Sequence, residues 1–168
     1  MLVARAQLDF IKSLVARFQR PDNLMQPLIV FQSQYIAIIA LLRSVGHVFE
    51  KVDCDTPERK AWGKSKWLEW QRAPIFQSFI EPKRNELLKQ FKGGLELRDS
   101  GFSTPAIVGD PSMPGMTSIV TTLEPADLRD AEGRPIMPQI HEAAAFWHRC
   151  LAEAEAAFGE TANQRWPI

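Results

Sequence analysis

Cysteine is scarce in this chain of 168 residues, which contains only Cys54 and Cys150. Neither belongs to a Cys-x-x-Cys pair or has a histidine beside it at ligand spacing, so neither a zinc site nor a disulfide framework is indicated. His141 and His148 are seven residues apart, about 10 Å along a helix, which is too far for one shared metal ion. We expect two buried thiols, no bound metal and no cofactor.

Long apolar runs are also missing. The longest extends from Tyr35 to Leu42, eight residues, whereas a membrane-spanning helix needs about 20. The first residues meet acidic Asp9 and lack an apolar signal core. The sequence thus predicts a cytoplasmic protein that does not enter a membrane.

The commonest enzyme motifs are absent as well. The sequence has no glycine-rich phosphate loop, no Gly-x-Ser-x-Gly, no His-Glu-x-x-His and no Asp-rich calcium loop. The net charge is zero, but residues 59–98 hold ten Lys and Arg against four Asp and Glu. Such a basic stretch can meet phosphate groups or pair with the acidic C-terminal part of the chain.

Hydrophobic periodicity is the strongest signal that is present. Between about residues 24 and 53, apolar residues recur at alternating gaps of four and three, which predicts a long central helix. The members of this apolar seam are Leu24, Leu28, Phe31, Tyr35, Ile38, Leu42, Val45, Phe49 and Val52.

Shorter patterns predict the remaining helices. One covers about residues 3–20, one starts at Pro57 behind Thr56 as N-cap, and one covers about residues 76–91 with a kink or a restart at Pro82. The last covers about residues 138–158.

Residues 95–138 differ from the rest of the chain, because they contain six prolines and only short strand-like runs. We expect a small β-hairpin or loop excursion there, with its turn at Asp130–Gly133. The chain as a whole, residues 1–168, is then one mainly α domain. Its predicted architecture is an up-and-down bundle of four or five helices.

The central helix carries the first candidate site. Arg43 and His47 lie one turn apart, and Glu50 and Asp53 continue the polar strip. A guanidinium beside an imidazole can bind a phosphate and transfer a proton, which RNA cleavage through the 2′-OH requires. The alternative is structural: Arg43 pairs with an acid such as Glu50, and His47 is a surface histidine.

The second candidate site is the basic stretch Lys83-Arg84-Asn85, with Lys89 about one turn further along the same helix. Arg84, Asn85, Lys89 and Lys83 are the predicted binding residues, with Arg84 on a phosphate. The alternative for Arg84 is a half-buried ion pair with Glu81 or with an acid of the last helix.

A pattern over about residues 24–92 includes this stretch. It comprises Leu42-Arg43-Ser44-Val45, a Trp-containing segment and Phe76-x-x-Phe79-Ile80-x(3)-Arg84-Asn85-x-x-Leu88. The pattern resembles bacterial members of the HEPN superfamily. The resemblance implies a homodimer in which two Arg-x(4–6)-His motifs form a metal-independent endoribonuclease site, often in toxin–antitoxin or phage-defence systems.

The chain departs from that motif at the catalytic base, since Lys89, Gln90 and Phe91 occupy the positions where the family has histidine. A lysine, with a reference pKa near 10.4, is protonated at neutral pH and cannot accept a proton, although it can hold a phosphate. The sequence therefore favours a non-catalytic HEPN-like dimer that binds RNA or a cognate protein and has a regulatory role.

Two alternatives stay open. The first is an active ribonuclease in which His47 replaces the missing histidine opposite Arg84, with Arg43 as a further candidate. The second is a structural bundle that binds a protein partner through its tryptophans. The tryptophans in question are Trp62, Trp67, Trp70 and Trp166.

Overall fold

Helices dominate the computed structural model, which describes residues 1–20, 28–90, 106–109, 117–120, 129–130 and 133–160. The elements are α1 (Val3–Phe18), α2 (Leu28–Val48), α3 (Pro57–Trp70), α4 (Glu81–Lys89), β1 (Ala106–Gly109), β2 (Thr117–Val120) and α5 (Ile136–Phe158). The two strands pair antiparallel, with Ala106 opposite Val120. The mainly α prediction is confirmed, with a small hairpin inside the expected excursion.

Side-chain contacts give the helix directions. Gln7 near the start of α1 donates to Ser44 near the end of α2. Arg5 binds Glu155 at the far end of α5, whereas Gln19 lies 3.1 Å from His141 near the start of α5. Thus α1 runs antiparallel to both α2 and α5, as in an up-and-down bundle.

The predicted apolar seam forms the core of α2. Tyr35, Ile38, Leu42, Val45 and Phe49 are each at most 1% exposed. Leu24 and the side chains of Leu28 and Phe31 lie outside the described residues. The buried seam packs against α1, α4 and α5, so α2 is the central helix of the bundle.

The seam prediction is wrong at its last member, because Val52 is 51% exposed while Asp53 is buried. The reason is a π-helical turn at Phe49–Asp53 that follows α2 directly. A π turn closes its hydrogen bonds over five residues instead of four, so the residues after it rotate relative to an α-helical wheel. Asp53 is carried inward in place of Val52.

Asp53 caps helix α1 from a distance. Its two carboxylate oxygens accept hydrogen bonds from the backbone N–H groups of Val3 at 2.7 Å and Ala4 at 2.9 Å. These donors have no partner inside the helix, and the positive end of the helix dipole favours a carboxylate there. The expected N-cap of α3 is local: Thr56 Oγ1 accepts from Arg59 N at 3.2 Å.

A second π-helical turn, Phe76–Ile80, precedes α4. Pro82 follows as the second residue of α4, where its missing N–H costs little. Of the two outcomes expected at Pro82, a kink or a restart, the structure has a restart of the helix.

The Asp130–Gly133 turn does not join the two strands, contrary to the prediction. It lies inside an isolated antiparallel bridge between Arg129 and Pro135, immediately before α5. Asp130 fixes the turn through its own side chain, which accepts from the backbone N–H of Arg134 at 2.8 Å and from its guanidinium at 2.9 Å.

Two expectations, on the thiols and on membrane spans, can be compared with this fold. Cys54 and Cys150 are buried free thiols, as predicted, and burial raises their pKa to about 11 and about 12. Among the described helices, none combines the length and apolarity that crossing a bilayer requires.

Replacing Asp53 with alanine should lower the free energy of unfolding by about 2 kcal/mol, because two N–H groups of α1 lose a charged acceptor. Urea denaturation followed by far-UV circular dichroism measures this change. The matched control is Asp55→Ala, which removes an exposed carboxylate 3.5 Å from Arg59 and should cost less than about 0.5 kcal/mol. Equal losses in the two variants would contradict the capping role.

Candidate functional site

The end of α2 and the start of α4 bring the candidate residues together, since these two helices pack against each other. We call the surface formed by Arg43, His47, Glu81, Arg84 and Asn85 the Arg84 face. The positive charge of Arg84 reaches the other two candidates, because it contributes to lowering the pKa of both Arg43 and His47. The contact of 3.7 Å between Arg43 and Glu81 therefore joins the first candidate site to the part of the second that contains Arg84 and Asn85.

Arg43 is a partly buried member of the Arg84 face. Its guanidinium lies between two rings, 5.3 Å from the centroid of Trp67 and 5.2 Å from that of Phe76. Its Nη2 is 3.7 Å from Glu81 Oε1, and its side chain is 12% exposed. Its Nη1 is buried and has no hydrogen-bond partner, so Arg43 is fixed in place with donor capacity unused.

The structural alternative for Arg43 and His47 holds in part, because Arg43 pairs with an acid and His47 is exposed, whereas the ion pair suggested for Arg84 is not formed within the described residues. Arg43 pairs with Glu81 rather than with Glu50, whose carboxylate is 3.3 Å from Lys51. Asp53, expected to extend the polar strip, is buried at the end of α1 instead.

Arg84 is half-buried and is held by its neighbour in sequence. Its Nη1 donates to Asn85 Oδ1 at 2.9 Å. No carboxylate within the described ranges forms an ion pair with it, since Glu81 is engaged by Arg43. Asn85 orients the guanidinium without neutralising it, and the charge of Arg84 stays available to an anion.

His47 is the exposed member, with its ring centroid 6.2 Å from that of Trp67. Partial burial lowers its pKa below 6.5, and the charges of Arg43 and Arg84 lower it further, while Glu50 opposes them. At neutral pH the imidazole is therefore uncharged and can accept a proton.

Two lysines of the predicted binding set lie in different surroundings. Lys83 is 2% exposed, and its ammonium binds Glu86 at 2.8 Å and lies 3.8 Å from the buried carboxylate of Asp130. This buried position contradicts the prediction that Lys83 meets a ligand. Lys89 is exposed at the end of α4, as a phosphate contact requires.

The tryptophans pack inward. Trp70 is 3% exposed, and Trp62 and Trp67 are partly buried against the same core. Trp67 lies so close over Gly46 that a β-carbon at this glycine would overlap its ring. Trp166 lies outside the described residues. Of the described tryptophans, Trp70 is thus too deeply buried to contribute to an exposed protein interface.

The sequence did not indicate that Trp67 and Phe76 hold the guanidinium of Arg43. The sequence offers Trp67 only as a candidate interface residue and Phe76 only as part of an apolar pattern, whereas in the structure Phe76 is buried, Trp67 is partly buried, and both contact Arg43. Their spacing along the chain carries no sign of a shared cation, because they lie on different helical segments.

No protein-family model, curated protein or solved structure matches this chain. Within the described residues, no group of three or more His, Cys, Asp or Glu side chains is placed to hold a metal ion. The chemistry that the Arg84 face can perform therefore depends on its own side chains. It offers two guanidinium groups and one neutral imidazole.

The pKa of His47 gives a direct test of this geometry. Replacing Arg84 with glutamine should raise that pKa, because one of the positive charges that disfavour the imidazolium is removed. An NMR titration of the histidine ring protons between about pH 4 and 9 measures it. Lys89→Gln, on the same helix, is the control and should leave the pKa of His47 unchanged. A pKa unaffected by Arg84→Gln would show that the two side chains do not interact.

Proposed function

We propose that this protein is a non-catalytic, HEPN-like RNA-binding protein that holds a backbone phosphate at the Arg84 face. The observation that carries the proposal is the half-buried Arg84 guanidinium, which Asn85 orients and which no described carboxylate neutralises. A guanidinium matches a phosphate with two parallel hydrogen bonds.

Arg43 adds a second positive charge to the proposed phosphate site. Its aromatic contacts keep the guanidinium in one orientation, so little side-chain freedom is lost when an anion binds. Its Nη1 is buried, so Arg43 contributes positive charge beside the ligand rather than a hydrogen bond from this atom. Two positive charges on neighbouring helices favour a phosphodiester over a neutral ligand.

The biological role rests on the sequence resemblance. HEPN-like proteins pair through the helices that carry this arginine, so the proposed form is a homodimer with two Arg84 faces. The histidine of the family motif is replaced here by Lys89 or its neighbours, which favours binding and regulation over cleavage.

RNA binding through Arg84 can be measured by fluorescence anisotropy with a short labelled oligonucleotide. Arg84→Gln should weaken binding about tenfold, the equivalent of about 1.4 kcal/mol, because a charge-assisted contact to phosphate is lost. The affinity of the unchanged protein should also fall as salt rises. Lys12→Gln, an exposed lysine on α1 that pairs with Asp9, is the control. Equal affinities for all three proteins would rule out the Arg84 face as the binding site.

Metal-independent RNA cleavage is the second candidate function. The arrangement in its favour is that His47 and Arg84 belong to the neighbouring helices α2 and α4, and that the charge of Arg84 helps to lower the pKa of His47. In such a reaction His47 would take the proton from the 2′-OH, whose oxygen would attack the phosphorus to form a 2′,3′-cyclic phosphate. The 5′-oxygen would leave with a proton from water while Arg84 bound the phosphate.

Incubation of the protein with RNA in excess EDTA tests this second function. If cleavage occurs, His47→Ala and Arg84→Ala should each reduce its rate at least about 100-fold, the usual contribution of a general base or a charge-stabilising group. Cleavage that survives both substitutions would assign the activity elsewhere. Absence of cleavage, together with binding that depends on Arg84, would support the non-catalytic proposal.

A further inference from the structure

One flank of α3 continues the positive charge of the Arg84 face. Lys60, Lys64, Trp67 and Gln71 are spaced by four, three and four residues, so they form one line along the helix. Trp67 contacts His47, which places the start of the line at the Arg84 face. We call this line the α3 flank.

The lysines of the α3 flank are exposed, and no acid in the described part of the chain pairs with them. Lys66 differs, although it is only two residues from Lys64. It faces α5, where it binds Glu69 at 3.0 Å and Glu153 at 3.2 Å. The same helix thus has one lysine, Lys66, that is neutralised by acids, and on its other side two lysines, Lys60 and Lys64, that are not.

The acids of α3 do not reach this flank. Glu58 and Glu69 lie on the opposite half of the helix, because two residues turn an α-helix by about 200°. Lys51 is also exposed, in the π-helical turn that follows α2, and its charge contributes to lowering the pKa of His47. Its neighbour Glu50 offsets that charge only in part, at 3.3 Å on an exposed surface.

The length of the α3 flank limits the ligand. Lys60 is seven residues before Trp67, about 10 Å along the helix axis. A single phosphate bound at Arg84 cannot also contact Lys60 at that distance. A strand with successive phosphates can follow the whole line.

We infer that the ligand is a nucleic-acid strand whose backbone continues from the Arg84 face along α3, past Lys64 to Lys60. This inference rests on the proposed function for its starting point at Arg84. Each phosphate that meets a lysine releases condensed counterions, so the lysines add affinity that depends on strand length and on salt.

The test compares the double substitution Lys60→Gln with Lys64→Gln against unchanged protein, using labelled single-stranded RNA of about three and about twelve nucleotides. The double substitution should weaken binding of the longer strand about tenfold at low salt. It should also reduce the slope of log affinity against log salt by about 1.4, or 0.7 for each lost phosphate contact. Binding of the trinucleotide should not change.

Lys66→Gln is the matched control, because Lys66 carries the same charge on the same helix but points to α5. It should leave binding of both strands unchanged. If the double substitution has no effect on the longer strand while Arg84→Gln weakens both strands, the path along α3 is wrong and the proposed function stands.

Two further outcomes are decisive. If Arg84→Gln affects neither strand, the proposed function fails and the inference fails with it. If polyglutamate of matched length binds as tightly as RNA and loses its affinity through the double substitution, the α3 flank binds an acidic protein chain, and the nucleic-acid assignment is overturned.

Discussion

The buried carboxylate of Asp53 joins the start of α1 to the end of α2. One turn into α1, Arg5 binds Glu155 of α5 through two hydrogen bonds at 2.9 and 2.7 Å. Three helices therefore meet at one end of the bundle. Each buried charged group there has hydrogen-bond partners, which a buried charge requires. The π-helical turn that places Asp53 also sets the direction in which the chain enters α3, and so places Trp67 over Gly46 and beside Arg43.

Much of the fold can be predicted from the sequence, because amphipathic helices repeat their apolar residues at a nearly constant spacing. The seam from Tyr35 to Phe49 and the cap at Thr56 needed no tertiary information. The failure at Val52 has a definite cause: a helical wheel assumes one hydrogen-bond pattern, and the π turn changes it. The amino-acid sequence of residues 49–53 contains no pattern that indicates a π-helical turn.

The candidate site was predicted less completely. Arg43, His47 and Arg84 were singled out from helical spacing and from a short motif, and their proximity follows once α2 and α4 are neighbours. What surrounds them depends on contacts between distant segments. Glu81 binds Arg43 rather than its own helix neighbour Arg84, and Lys83 turns inward to Asp130. Charge pairing of this kind is decided by burial and geometry, which spacing alone does not give.

The contact between Lys83 and Asp130 has a consequence for how this chain tolerates change. Both side chains are buried, and their 3.8 Å contact brings α4 next to the turn that precedes α5. A buried charge that loses one of its partners is destabilising. Loss of either charge would therefore weaken the connection between α4 and the turn before α5, two elements that are far apart in the sequence.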